Sequence, residues 1–307
     1  MTELLERLEF AGPALETGGM KLRRVEGANG VVVYQSPLLA EAGVVHGFST
    51  RIGGVSEGEF ATLNFGNAAG ERADPATHVA RNFELLQEAV GAAGVARAWV
   101  KQVHGRGVEL LEPEPEGEYG ETFAAELRDR FSGQAAADGM VSVAPGVLLV
   151  IRTADCVPVL LASGDGKVVA AVHAGWRGVV GNIVGRAVRV MGEAGVRGED
   201  LAAAIGPCIS AEHFEVGEEV VEAFGKAELG EAVVRRDDWA RPHVDLQEAV
   251  RRQLERAGVG RIDGNALCTY RDAREFFSHR RDAGKTGRMA AVIGITRGGA
   301  AEVAGAG

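Results

Sequence analysis

The chain has 307 residues, 46% hydrophobic and 25% charged, with a mean hydropathy of zero, so it can bury a substantial core without staples. A net charge of −10 and a pI near 5.3 argue against a nucleic-acid partner, since a phosphate-binding surface carries a basic excess. The acidic opening MTELLERLEF is unlike a signal peptide, no run of about 18 apolar residues could span a membrane, and three widely spaced cysteines do not suit a disulfide framework; the expected compartment is a reducing cytoplasm.

Residues 1–28, rich in Gly, Glu and Ala, predict a poorly ordered lead or a frayed helix. From there the pattern changes, and residues 29–296 read as a single catalytic domain. Val31–Gln35 and Val44–Thr50 predict short strands, followed by the glycine-rich loop RIGGVSEGEF. Asp74 is an expected N-cap, with Pro75 at the first helical position of a helix running to about Ala93. Val79, Phe83, Leu86 and Val90 recur on one face of it. Trp99–His104 predicts another strand, and the acidic EPEPEGEYGE after it a solvated loop.

The next stretch alternates apolar runs with turn signals: GMVSV, VLLVIRT, VPVLLAS and KVVAAVHA, the last two joined by GDG in an expected hairpin. VVGNIVGRAVRVMGEAG predicts one helix closing on Gly195, LAAAIGP a strand, VGEEVVEAF a helix, and Asp245 the start of a helix toward Ala257. NALCTY and MAAVIGI predict late strands, and residues 297–307 a disordered tail. Together these give a single mixed α/β domain.

Three segments each place a metal-capable side chain at the end of a predicted strand: KQVHG with His104, TADCVPV with Cys156, and AVHAGWRG with His173. Cys156 and His173 flank the predicted hairpin, whose antiparallel pairing brings its two ends together. His104 has no such local argument. Two imidazoles and a thiolate suit zinc, and three protein ligands leave a fourth position open, as catalytic sites do. Such a metal could activate water or polarise a substrate oxygen. The same residues also fit an ordinary buried thiol and a hydrogen-bonded histidine, or a Cys156–His173 nucleophile–base pair with Asp155 or another acid orienting the imidazole. HAGWRG offers Arg177 and a following helix N-terminus to an anion, and SHRRDAGKTGR clusters five basic residues between His279 and Arg288.

Taken in order, HGFSTRIGGVS, NFG, KQVHG, TADCVPVLL, AVHAGWRG, IGPCIS with FEVGEEV, VDL and FFSHRRDAGKTGR identify a resemblance to one family. It is named variously multicopper polyphenol oxidase or laccase-like, laccase-domain purine nucleoside phosphorylase, and peptidoglycan editing factor. The resemblance implies a four-layer sandwich of mixed β-sheets flanked by helices, similar to the cysteine-hydrolase fold of some bacterial toxins. It implies zinc on His104, Cys156 and His173, with copper disfavoured because copper oxidases need more histidines than the seven here. The implied reaction is phosphate-dependent cleavage of adenosine, inosine and methylthioadenosine, with adenosine deamination as a side activity; the alternative is an amide hydrolase that edits a cell-wall precursor. On this basis Cys156, His173 and Asp155 are the expected catalytic residues, and Arg51, Asn64, Arg177 and Arg280 are expected to bind substrate or phosphate. Cys208 is expected to be structural, and His279 is not assigned to the metal.

Overall fold

A strand whose residues are apolar on both faces needs cover on both faces, and this chain has many such strands. The computed structural model describes residues 21–66, 73–112 and 132–295. Its strands begin with β1 (Arg23–Glu26), β2 (Val32–Gln35), β3 (Val45–Ser49), β4 (Ala96–Lys101), β5 (Val108–Leu111) and β6 (Ser132–Ala136). They continue with β7 (Gly139–Ser142), β8 (Val147–Thr153), β9 (Val157–Ser163), β10 (Val169–Ala174) and β11 (Leu201–Ile205). The last are β12 (Val233–Val234), β13 (His243–Val244), β14 (Arg261–Asp263) and β15 (Met289–Gly294). The helices are α1 (Pro37–Glu41), α2 (Ala76–Ala89), α3 (Trp176–Val180), α4 (Ile183–Glu193), α5 (Glu218–Lys226) and α6 (Leu246–Arg256).

One mixed sheet has the order β1-β2-β3-β15-β8-β4-β6 and the other β14-β11-β9-β10-β7-β5, with β12 and β13 forming a short ribbon. Side-chain alternation assigns the layers. Leu149 and Ile151 of β8 join Val169 and Ala171 of β10 in a core between the two sheets, while Leu148 and Val150 of β8 pack with Leu85 and Leu86 of α2. On the far side Ala170 and Val172 of β10 meet Ile183, Val184 and Ala187 of α4 and Leu246, Val250 and Leu254 of α6. The four layers of the expected sandwich are therefore helix, sheet, sheet, helices.

Several elements depart from expectation for identifiable reasons. Residues 21–28 are not a loose lead: β1 pairs antiparallel with β2, Arg23 opposite Gln35 and Glu26 opposite Val32. RRVE carries one apolar residue, so this strand is held by its backbone ladder and leaves little trace in a hydrophobic pattern. Residues 1–20, the tail and nearly all of EPEPEGEYGE lie outside the described residues. Helix α2 starts one residue later than expected, with Pro75 at its cap, because the Asp74 carboxylate accepts from Ser56 and Asn64 instead. The single helix expected over residues 179–195 is two, broken at Asn182, which is left-handed (φ 54°) and accepts from Gly185 N–H. NALCTY is not a strand, because its backbone is engaged by side chains. Asn265 accepts from the N–H of Leu267 and Asp272 from that of Cys268, leaving only a Cys208–Cys268 bridge. No helix among the described residues is long and apolar enough to cross a membrane.

Candidate metal centre

The hairpin forms in the register that joins its two ends: Val157 lies opposite Ala174 and Pro158 opposite His173. Cys156, just before β9, thereby meets the last turn of β10. The third residue arrives by a route that spacing did not show. Strand β4 stops at Lys101, and the chain turns so that His104 lies on a loop in the left-handed region (φ 57°). One ligand atom from each of His104, Cys156 and His173 falls within 4.8 Å of the others. The two imidazoles stand nearly perpendicular, with centroids 5.0 Å apart. His173 is buried, Cys156 half-buried and His104 exposed, so the donor set opens outward on one side.

Asp138, between β6 and β7 and fully buried, organises this arrangement, and the sequence reading missed it. Its carboxylate accepts from the backbone N–H groups of Val103 (3.2 Å), His104 (3.0 Å) and Gly105 (2.6 Å). It also accepts from His173 Nδ1 (2.8 Å), which leaves Nε2 as that ring's free donor atom. A lone aspartate in the apolar stretch AAADGMV was the available signal. Burial opposes ionisation of Asp138, but His173 and the N–H groups of Gly105 and Val103 hold it below the usual carboxylate range.

Burial also pushes the Cys156 thiol up. The His173 charge and the hydrogen bonds from both histidines outweigh it and bring the thiol down to about 6. Burial disfavours a charged His173, yet the Cys156 thiolate and Asp138 raise it to about 9. Without metal, the pair is a thiolate facing an imidazolium. Two imidazoles and a thiolate, one imidazole fixed through its far nitrogen by a carboxylate, match the donor chemistry that zinc takes. Gly175 keeps the space between them open: a Cβ there would stand 3.1 Å from Cys156 Sγ and 3.2 Å from His104 Cδ2.

A cavity of about 700 Å³ opens from the three donors. Trp176, Ile209, Phe214, Val216, Val220 and Leu246 form its apolar wall. Lys101, Arg152, Arg177, Arg280 and Arg288 face Asp155, Glu215 and Glu219 across it, giving a basic pocket in an acidic chain.

The other expected residues divide. Arg177 and Arg280 line the cavity, with their guanidiniums over the rings of Trp176 (4.3 Å) and Phe214 (5.2 Å). Asp155 also lines it but does not orient His173; its carboxylate accepts from Thr269 Oγ1 (2.7 Å) and from Arg280 N–H (2.6 Å). Arg51 lies apart from the cavity lining, donating to the carbonyls of Ala61 and Ala273 and stacking on Phe277 at 4.4 Å. The glycine loop was a poor guide because the arginine that opens it closes that loop onto the chain. Asn64 is fully buried and acts on backbone: its Oδ1 accepts from Gly66 (3.1 Å) and Arg288 (2.8 Å) N–H groups, both on cavity-lining residues. Arg152 was missed, although a charge inside VLLVIRT stands out among apolar neighbours; Arg288 closes the basic cluster SHRRDAGKTGR noted in the sequence but was not singled out there.

Known proteins resemble this chain over most of its length. A Deinococcus radiodurans protein named purine nucleoside phosphorylase is 42% identical over 270 residues, covering 88% of this chain and 95% of its own. One of the same name from Bacteroides thetaiotaomicron is 37% identical over 268 residues, covering 85% and 95%. Among solved structures, YlmD from Geobacillus stearothermophilus matches with a TM-score of 0.74 at 31% identity, over 89% of this chain and 99% of that one. Residues 45–296, which contain the donor residues and the whole cavity lining, match the model of one family, and the chain belongs to it: multi-copper polyphenol oxidoreductase laccase.

Proposed function

We propose that this protein is a zinc-dependent purine nucleoside phosphorylase acting on adenosine, inosine and methylthioadenosine. The observation that carries the reading is an open His–Cys–His donor set at the edge of a cavity with one apolar wall and an excess of arginine. An apolar wall suits a purine, and guanidiniums that form no ion pair among the described residues suit an anionic co-substrate. The names of the relatives support the same reaction class.

In that reaction an oxygen of orthophosphate bonds to the anomeric carbon as the bond from that carbon to purine N9 breaks. The bonding pair leaves with N9, and the hydrogen that orthophosphate gives up ends on the purine. His104, Cys156 and His173 would hold zinc, which supplies Lewis-acid polarisation of an oxygen when bound. Arg177 and Arg280 stabilise anionic groups at the cavity wall, and Trp176 and Phe214 offer flat surfaces to the base. Asp155 positions Arg280 by accepting its backbone N–H.

Adenosine should give adenine and ribose 1-phosphate, at a rate that rises and saturates with phosphate. Undiminished turnover in phosphate-free buffer would remove this reading. It would leave a second one, which the Cys156–His173–Asp138 array favours: a cysteine or metal hydrolase or deaminase, releasing inosine from adenosine or acting on a cell-wall amide.

A further inference from the structure

Arg152 is the second-last residue of β8 and follows a run of five apolar residues, Val147 to Ile151. Its backbone is tied on both sides by Gln102, whose Oε1 accepts its N–H and whose Nε2 donates to its carbonyl, each at 2.8 Å. Its guanidinium, by contrast, has no hydrogen-bond acceptor and no carboxylate among the described residues, although burial pushes its pKa down. Gly66 makes the room it occupies, since a Cβ there would stand 2.9 Å from Arg152 Nη1.

Arg288 reaches the same cavity from the other end of the chain. Its Nη1 donates only to carbonyls of its own loop, Thr286 (3.1 Å) and Gly287 (2.9 Å), and it forms no ion pair among the described residues. Burial lowers its pKa; the Cys156 thiolate and the Asp155 carboxylate oppose that shift, while the Arg152 charge adds to it. Asn64 locks the two segments together by accepting from the N–H groups of Gly66 and Arg288, while Phe65 N–H donates to Arg288 carbonyl (3.0 Å). Two partly buried guanidiniums facing one cavity repel each other, and holding them there costs stability unless an anion sits between them. The arrangement is built from three separate segments, which sets it apart from a solvated surface cluster.

We propose that Arg152 and Arg288 form the subsite for free orthophosphate, the co-substrate of the reaction proposed above. The inference rests on that reading for the identity of the anion, not for its charge. Arg177 and Arg280, at the exposed wall of the same cavity, then flank that subsite and add positive potential to it without forming it.

The test is orthophosphate binding to the zinc-loaded protein without nucleoside, by calorimetry and by the rise in Tm with added phosphate. The parent should bind phosphate and gain Tm. Arg152→Met and Arg288→Met should each bind at least about tenfold more weakly, the loss of one charge-assisted contact. Arg152→Lys should recover part of the affinity, and Arg81→Met, on the exposed face of α2, should behave as the parent. In phosphate-free buffer Arg152→Met should be no less stable than the parent, because it removes an uncompensated charge. A purely structural Arg152 would give the reverse: lower stability with an unchanged phosphate response, which overturns the proposal. Unchanged phosphate affinity in both Met variants overturns it too. So does an adenosine 5′-monophosphate affinity that falls with Arg152→Met while orthophosphate affinity does not. If phosphate binds through these arginines but the parent shows no phosphorolysis, the subsite stands and the phosphorylase reading falls. If phosphorolysis proceeds with unchanged phosphate KM in both Met variants, the subsite falls and the reading stands.

Discussion

Asp138 accepts from the loop that carries His104 and from the ring of His173, so its loss loosens two ligands at once. Asp138→Asn keeps the shape but removes the charge and one accepting oxygen. Zinc affinity, measured by competition with a chromophoric chelator, should fall about 10–100-fold, the usual range for such supporting contacts. Affinity equal to the parent's would refute the role assigned to it. A second residue-scale prediction follows from the titration of the metal-free pair. Between pH about 6 and about 9 Cys156 is already a thiolate while His173 still holds its proton. Zinc binding at pH 7.5 must therefore displace the His173 proton but none from Cys156, giving about one proton from this pair. Calorimetry in buffers of different ionisation enthalpy reads that number, and release of two from the pair would mean that the thiol had kept its proton. The three converging residues, His104, Cys156 and His173, were legible because each sits in a short motif at a strand end. Asp138 and Arg152 were not, since nothing local says that a buried charge will meet a histidine or arginine brought from another strand. Arg51 shows the opposite error: an arginine in a glycine loop looks like an anion ligand until its acceptors are seen to be carbonyls.

The turn from β10 into α3 is where local sequence and site geometry constrain each other most tightly. Gly175 caps α3 in extended conformation (φ −71°, ψ 164°), which any residue can adopt, so no backbone strain demands glycine there. What demands it is space: an added methyl would stand among the three donors, 3.1 Å from Cys156 Sγ and 3.8 Å from His173 Cε1. Gly175→Ala should therefore lose most bound metal, by elemental analysis, while keeping its circular dichroism spectrum and a Tm close to that of metal-free parent. Full metal content in that variant would show that the donors can move apart without cost. Elements with dense apolar runs, β8 to β11 and β15, were readable because both faces are buried and turns bracket them. Strands β1, β5 and β6 were not, since RRVE, VELL and SGQAA carry few apolar residues or sit at sheet edges, where the ladder does the work of burial. The break at Asn182 was hidden for a similar reason: the apolar spacing runs on through a residue whose backbone turns left-handed.

At the scale of the whole molecule the donors come from both sheets. His104 follows β4 in the seven-stranded sheet, Cys156 sits in the crossover from β8 to β9, and His173 lies on β10 in the six-stranded sheet. The four layers could be anticipated from the resemblance, whereas the pattern of apolar runs reached only a single mixed α/β domain. The meeting of β4 with the hairpin could not, because sequence spacing carries no information on which sheet a strand joins. A metal held at this junction would bind only the folded chain and tie the two sheets together, so its contribution to stability would follow from mass action. At free zinc about a hundredfold above Kd that contribution is about 2.7 kcal/mol. A chelator should then lower the parent's Tm by several degrees, at roughly 2–4 °C per kcal/mol for a chain of this class. Cys156→Ala should start near the lowered value and respond little to chelator or to added zinc. Cys208→Ser and Cys268→Ser provide the contrast. Both thiols are fully buried away from the donors, and Cys268 Sγ accepts from Ser210 (N–H and Oγ) and Arg271 N–H. These variants should lose roughly 1–3 kcal/mol of stability yet keep the parent's chelator response and metal content. An equal chelator effect on Cys156→Ala and the parent would place the stabilising metal somewhere other than these three residues.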